Sequence, residues 1–465
     1  MKALKTLFFS LFFFWTVSLS AAGVYVPNFG SDDVSVIDVD TNQVVATIPV
    51  GSQPWTLIAS LDATKLYVGN YGDGTVSVID ALTNTVTDTL TVGPGPEFFT
   101  ISKDGTKVFV ANSGSNTVSV IDVATDTVTN TITVGNTPIE LEVSPDGQRL
   151  FVPNQTSNSV SVIDVATETV VATVGGLPTA PQFITFTADS QKAFVASVTF
   201  PPNISVISNG PIPSLITTLS AGGSPGELKA TPDGQRVYVA NTTSNDVTVI
   251  DTATNAVIGT IAVGTNPQLV DITPDGTKVF VPNYTSNDVS VIDVASNTVI
   301  ATITTGASPQ GIAISPDGAY AYVANTGGNS VTVIDIATLS VIDTVTVGTG
   351  PLFIDFAANI AIGNIDVRVD GCSKDSFLSQ IDLYNLIQWP YPQWDVLVFA
   401  APVEYRIYRD AALTDLVAVV PVTEPRRFED HNLKPKRLYS YYVTAVDQLG
   451  DVIAIGSTTV KSCKK

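Results

Sequence analysis

PQLVDITPDGTKVFVPNYTSNDVSVIDVASNTVIATITTGAS, residues 267–308, decides the fold of this chain. Four short apolar runs, at 269–272, 278–281, 289–292 and 299–303, alternate in it with turn formers. Runs of that length, rich in Val and Ile and bounded by Gly, Pro, Asn and Asp, read as β-strands. In the first turn, Thr273-Pro274-Asp275-Gly276, proline fixes φ, aspartate can bond the backbone ahead of it, and glycine takes positive φ. The second turn is 282–287, and the third centres on Ala295-Ser296-Asn297. A lone four-stranded meander leaves both faces wet, so the unit needs copies of itself on either side.

The aspartate closing the third strand recurs as Asp38, Asp80, Asp122, Asp164, Asp251, Asp293 and Asp335, with Ser208 in the one gap, at spacings of 42 to 44 residues. The segment before the second turn recurs eight times, from Val24-Tyr25-Val26-Pro27-Asn28 to residues 321–325. A period of about 40–45 residues with four strands per unit specifies an all-β fold, a β-propeller. The repeat resembles the YVTN-repeat propellers of surface-layer-like and other cell-envelope proteins, over residues 24–357. That resemblance implies four-stranded blades around a channel and a place at the cell envelope. Counting from either end of the repeat gives eight blades, where relatives often have seven.

Residues 1–22 carry Lys2 and Lys5, an apolar stretch at 7–19 and then Ser20-Ala21-Ala22, the pattern of a secretory signal cut after Ala22. A stretch of thirteen residues falls short of the ~20 a spanning helix needs, so no transmembrane span is expected in the mature chain. The mature chain then starts at a second-strand motif, while Gly350-Pro351-Leu352-Phe353-Ile354-Asp355-Phe356 matches a first strand with no second strand after it. Residues 24–50 should therefore supply three strands of one blade and 352–357 the fourth, closing the ring.

Residues 24–357 carry 30 Asp and Glu against 8 Lys and Arg, a net of −22, whereas 358–465 carry 13 against 12. One rim should be strongly acidic, with Asp104, Asp146, Asp233, Asp275 and Asp317 in its turns. Lys65, Lys107, Arg149, Arg236 and Lys278 begin second strands, where each should face the aspartate closing the third strand of its own blade. This balance argues against nucleic acid, whose affinity rests on phosphate neutralisation. Weak calcium binding is the metal chemistry the acidic loops allow, although Ser31-Asp32-Asp33, 71–74 and 286–288 match no calcium loop and read as plain turns.

The catalytic inventory is short. The sole histidine is His431 and the sole methionine Met1, which leaves no histidine cluster for haem, copper or zinc and no Ser-His-Asp triad in the disc. No cofactor is expected. The nearest enzymatic alternative by architecture is a lactonase-like propeller hydrolase, for which the chain offers only carboxylates. What varies from blade to blade is the start of each first strand, after the Gly-x-x-Pro link: Trp55, Glu97 with Phe98, Ile139 with Glu140, Gln182, Glu227, Gln268, Gln310, and Leu352 with Phe353. Variation on a near-constant scaffold marks a candidate binding rim at the channel mouth.

Past Phe356 the repeat stops. Trp389, the run 405–409 and the run 433–447 alternate with period two, and they resemble a fibronectin type III module covering about residues 364–463. That resemblance implies a β-sandwich domain at 358–465, which binds or spaces. His431 falls on the loop before its tyrosine corner. An even pair of cysteines in an exported chain favours a Cys372–Cys463 disulfide. The chain thus reads as an exported, non-catalytic recognition or scaffold protein of the cell envelope, periplasmic, cell-surface or extracellular, with a protein or polysaccharide partner. The alternatives are a structural surface-layer subunit and the lactonase-like hydrolase.

Overall fold

A computed structural model describes residues 23–199 and 202–357 in full, together with the backbone of seven later strands. Residues 1–22, where a signal is expected, Phe200-Pro201, Trp389, His431 and Cys463 lie outside the described residues, as does the side chain of Cys372.

Residues 23–357 form eight four-stranded antiparallel sheets, the blades of a closed propeller. Blades 2 to 8 each use four consecutive strands; blade 7, for example, contains Asp271–Ile272, Lys278–Asn283, Asp288–Asp293 and Thr298–Thr304. Blade 1 is composite: Gly23–Asn28, Asp33–Asp38 and Gln43–Pro49 are joined by Asp355–Ala357 as the inner strand, with Val24 opposite Phe356 and Tyr25 opposite Asp355. The hydrophobic cores lie between blades rather than within them. One such layer joins Phe109, Val118 and Val120 of blade 3 to Leu141, Leu150 and Val152 of blade 4. The ring seam has the same construction, with Val24, Val26 and Ile354 of blade 1 against Tyr322, Ala324 and Val333 of blade 8. In every blade the third and outer strands slip register by one residue, as at Val36/Ile37. A bulge there twists the exposed outer edge out of line for pairing with another chain.

The repeat signature has a structural cause. The asparagine ending each second strand is fully buried in seven blades, and Ser197 replaces it in blade 5. Asn283 Nδ2 donates to Asp288 Oδ1 at 2.6 Å and Ser290 Oγ at 2.9 Å, and the linker Gly264 N–H also reaches Ser290 Oγ, at 3.3 Å. Asn283 thus pins the second strand to the third, and Ser290 carries the contact on to the link from the preceding blade.

The expected charge pairing is corrected in its partners. The register is as expected, with Lys65 opposite Asp80 and Lys107 opposite Asp122. The ion pairs, however, cross to the next blade: Lys65 Nζ lies 2.7 Å from Asp126 Oδ2, and Lys107 Nζ 2.7 Å from Glu168 Oε1. The reason is local competition. Asp80 Oδ1 already accepts the N–H and hydroxyl of Thr83, three residues on, and this aspartate turn repeats at Asp38, Asp122, Asp164, Asp251, Asp293 and Asp335. The lysine stems therefore stitch neighbouring blades together.

Seven strands follow the propeller: Gly363–Cys372, Ser379–Asn385, Glu404–Tyr408, Leu416–Pro421, Arg427–Glu429, Leu438–Val446 and Val452–Lys461. Numbered along the chain, their hydrogen-bonded order is fourth, third, sixth, seventh, first, second, fifth.

Candidate functional site

Most inner strands enter the channel mouth through a clamp from the blade before them. The residue ahead of its first proline has positive φ at Gln53, Thr137, Ala180, Ser224, Asn266 and Ser308. For a β-branched residue such as Thr137, at φ 57, this is a strained conformation that only surrounding structure maintains. The restraint is a side chain 21 residues upstream: Asn116 Oδ1 accepts Thr137 N–H at 2.9 Å, Asn245 Oδ1 accepts Asn266 N–H at 2.9 Å, and Asn287 Oδ1 accepts Ser308 N–H at 2.7 Å. The same clamp holds the N–H groups of Gln53, Ala180 and Gly350 through Asp32, Asn158 and Asn329, whereas at the link into blade 3 the upstream residue is Gly74, which has no side chain to offer.

At this mouth the rings of Trp55, Phe98 and Phe353 come together. Trp55 lies 6.4 Å from Phe353, and Phe353 lies 5.3 Å edge-on to Phe98, which meets Phe183 at 6.3 Å. Phe29 and Tyr71 flank Trp55 at 5.7 and 5.9 Å. Phe98, Phe183 and Phe353 belong to blades 3, 5 and 1, so these rings meet across the lumen rather than between neighbours. The Trp55 indole N–H is enclosed without a hydrogen-bond partner, while Tyr71 is 38% exposed. Phe29, Tyr71 and Phe183 join the rings expected from the blade-to-blade variation. Phe183 had a usable signal, because Phe98, Phe183 and Phe353 all stand two residues after the inner-strand proline. Gln268 and Gln310 sit on blades 7 and 8, which contribute no ring to the arc; Gln310 Oε1 accepts from Thr326 Oγ1 at 3.4 Å.

The glutamates divide differently. Burial raises the Glu97 pKa, with the Ser113 hydroxyl opposing, and the Glu97 carbonyl accepts from Thr56 Oγ1 at 2.5 Å. Glu140 and Glu227, two residues after their inner-strand prolines like Phe98 and Phe353, cap backbone. An inner strand has a neighbour on one side only, and its lumen-facing N–H groups need acceptors. Glu140 Oε2 accepts Ile184 N–H at 2.7 Å, Glu227 Oε2 accepts Val270 N–H at 3.3 Å, Asp271 Oδ2 accepts Ile314 N–H at 2.9 Å and Asp355 Oδ2 accepts Ala59 N–H at 3.1 Å. In each case the carboxylate of one blade secures the next.

Glu142, Lys229, Asp271 and Asp355 were not singled out from sequence. Period-two alternation was the available signal, since Glu140 and Glu142, Glu227 and Lys229, and Phe353 and Asp355 are each two residues apart on one strand face. Lys229 Nζ bonds Asp271 Oδ1 at 2.7 Å while its side chain stays 46% exposed, because the lumen surrounding it is open. Burial pushes Glu142 and Glu227 up to about 7 and Asp355 up to about 6, and with help from the Glu227 charge it holds Glu140 well above the ordinary glutamate value. Burial works against the Lys229 ammonium, but Asp271 and Glu227 outweigh it and hold the group above the ordinary lysine value.

These shifts have a sign. A carboxyl raised in the folded state binds its proton more tightly there than in the unfolded chain, so its contribution is present below the unfolded value near 4.5 and is lost as pH rises through about 7. Stability should therefore fall between pH 5 and 8. The double variant Glu142→Gln, Glu227→Gln should flatten that slope and gain about 1–3 kcal/mol at pH 8, as read by urea unfolding; an unchanged slope would disprove it. On the opposite rim Asp104 and Asp275 have lowered pKa values: burial raises them, but bonds from Ser102 and Thr106, and from Thr273 and Thr277, outweigh it. These two lose their contribution only as pH falls below about 4.

With the geometry in place, comparison with known proteins identifies the fold family. The YNCE-like beta-propeller family model matches residues 98–363, more than half the chain. The chain belongs to that family. The first part of this YNCE-like propeller, residues 17–174, also matches the model of the 7-bladed lactonase beta-propeller, whereas eight blades are present here. No curated protein matches. Among solved structures, the YNCE-like chain is similar to hydrazine synthase of Kuenenia stuttgartiensis, at 22% identity over 61% of this chain and 96% of that one, TM-score 0.52. Dihydro-heme d1 dehydrogenase NirN in complex with DHE is 16% identical over 73% and 76%, TM-score 0.63. Apo AztD from Citrobacter koseri is 15% identical over 72% and 98%, TM-score 0.57. Likeness at these identities is a likeness of fold.

Proposed function

We propose that this YNCE-like propeller is an exported, non-catalytic recognition protein of the cell envelope that takes a protein or glycan partner at its channel mouth. The observation carrying the reading is the aromatic arc of Trp55, Phe98, Phe183 and Phe353 on the rim where the repeats differ. On the opposite rim the aspartates are occupied by their own turns, as Asp104 is by Ser102 and Thr106. Aromatic platforms beside Glu97, Gln268 and Gln310 suit a ligand with apolar faces and hydroxyl or amide groups.

Two features support a non-catalytic role: residues 23–357 contain no histidine, and the channel carboxylates are engaged by backbone N–H groups. The leader-like residues 1–22 support export. The C-terminal strand order supports the fibronectin type III reading, because the first, second and fifth strands, and the fourth, third, sixth and seventh, group as the two sheets of such a module would. The Cys372–Cys463 disulfide belongs to the same proposal. A surface-layer subunit is the second reading, favoured by exposed Val45, Ile258, Ile300 and Ile342 on the outer strands of adjacent blades. Concentration-dependent assembly in sedimentation, with or without calcium, would select it.

The test is an array of glycans and envelope proteins probed with the full chain. For a captured ligand, Trp55→Ala with Phe98→Ala should weaken binding more than tenfold, while Asp104→Asn with Asp275→Asn should leave it within threefold. The reverse ranking would assign the working surface to the acidic rim.

A further inference from the structure

Below the ring layer the lumen contains a cavity of about 460 Å³. It extends from Phe353 down to Pro232 and Pro274 in the turns of the acidic rim. Its wall has an apolar part, including Leu269, Ile312, Ile354 and Phe356, and a charged part, Glu227, Lys229, Asp271 and Asp355. Glu140 and Glu142 of blade 4 act on the same lysine and glutamate across the lumen, and Lys103 acts on Glu142 from the margin. Lys229 is the one cation lining the cavity among the described residues, so negative charge exceeds positive inside it even with the Lys229–Asp271 pair formed.

The spacing of the carboxylates decides what could balance them. Among the described residues no three carboxylates converge closely enough to hold one metal ion. A point charge therefore cannot serve them together, whereas ammonium groups separated by methylenes can pair with different carboxylates while the methylenes lie on Phe353, Ile312 and Phe356. Lys229 already demonstrates the mode, with an aliphatic stem in the lumen and its ammonium 2.7 Å from Asp271. At about 30 Å³ per water molecule, the volume equals roughly fifteen waters, enough for a short chain carrying two or three ammonium groups. The net charge of −22 over residues 24–357 would concentrate cations at the rim where such a molecule enters.

We propose that this chamber binds an aliphatic amine carrying two or more ammonium groups, held by Glu227 and Asp355 against the apolar wall. The chamber shares Phe353 with the mouth, but its carboxylates carry the binding, and the inference does not depend on the reading given there. Calorimetric titration of the full chain with spermidine and with 1,4-diaminobutane at low salt and pH 8 should show one saturable site. Affinity should fall at least tenfold at pH 6, because protons then compete for the carboxylates. Glu227→Gln with Asp355→Asn should cost at least tenfold. Lys229→Met should tighten binding, since the ligand then takes the place of the built-in ammonium at Asp271. Asp104→Asn with Asp275→Asn should stay within threefold, and 1,4-butanediol should give no saturable heat. Absence of a saturable site for both amines at pH 8, affinity unchanged at pH 6, or a loss in the rim variant as large as in the chamber variant would each overturn the proposal. The pH arm uses the unmodified chain and stands even if a variant fails to fold.

Discussion

Deleting residues 351–357 is expected to lower the melting temperature by roughly 10 °C or more. These residues form the inner strand of blade 1, pairing Phe356 with Val24 and Asp355 with Tyr25. They bury Leu352, Ile354 and Ala357 and set Phe356 5.5 Å edge-on to Tyr322 of blade 8. Two large buried side chains, Leu352 and Ile354, at about 1.5–3 kcal/mol each give roughly 3–6 kcal/mol, before counting half-buried Phe356 and the Ala59 N–H that loses Asp355. Topology adds to this, because in a closed ring each blade rests on two neighbours, and removing the closing strand leaves blades 1 and 8 with a wet face. The deletion variant should also expose a strand edge and elute as larger species on gel filtration. A melting temperature within a few degrees of the parent would show that the ring does not depend on its closing strand.

Asn283→Leu is expected to cost about 2–4 kcal/mol and Gly264→Ala about 1–3 kcal/mol. Asn283 is fully buried and serves Asp288 and Ser290, so leucine strips the buried Ser290 hydroxyl and the half-buried Asp288 carboxylate of their donor. A Cβ on Gly264 would lie 2.4 Å from Ser286 Oγ and 2.6 Å from Asn283 Cγ, closer than real contacts allow. The same approach recurs at Gly51 against Asn70, Gly135 against Asn154 and Gly306 against Asn325, so the requirement belongs to the blade and not to one site. Because both changes act on one contact, the double variant should lose less than the sum. Urea unfolding of the four proteins tests this; full additivity, or a neutral Gly264→Ala, would refute the shared latch.

The sequence determined the blade, because strand, turn and link recur in register: Asp275-Gly276, Asn283 and Asp293 each have a local task that repeats every 42 to 44 residues. Eight such units, with 352–357 left as a lone first strand, determined the closed ring as well. The rim where repeats vary was legible for the same reason, and Trp55, Phe98 and Phe353 could be named from it. Contacts between blades were not legible, since a periodic sequence states what each copy contains and not which atom of the next copy it reaches. Lys65 faces Asp80 in its own sheet yet bonds Asp126, because Thr83 had already taken the nearer carboxylate. Glu140 and Glu227 resembled rim variation, but in the ring they satisfy backbone N–H groups of the following blade. The aromatic layer and the chamber below it likewise exist only in the closed disc. Phe98, Phe183 and Phe353 are at least 85 residues apart in sequence, and only the curvature of eight packed sheets brings them to one axis.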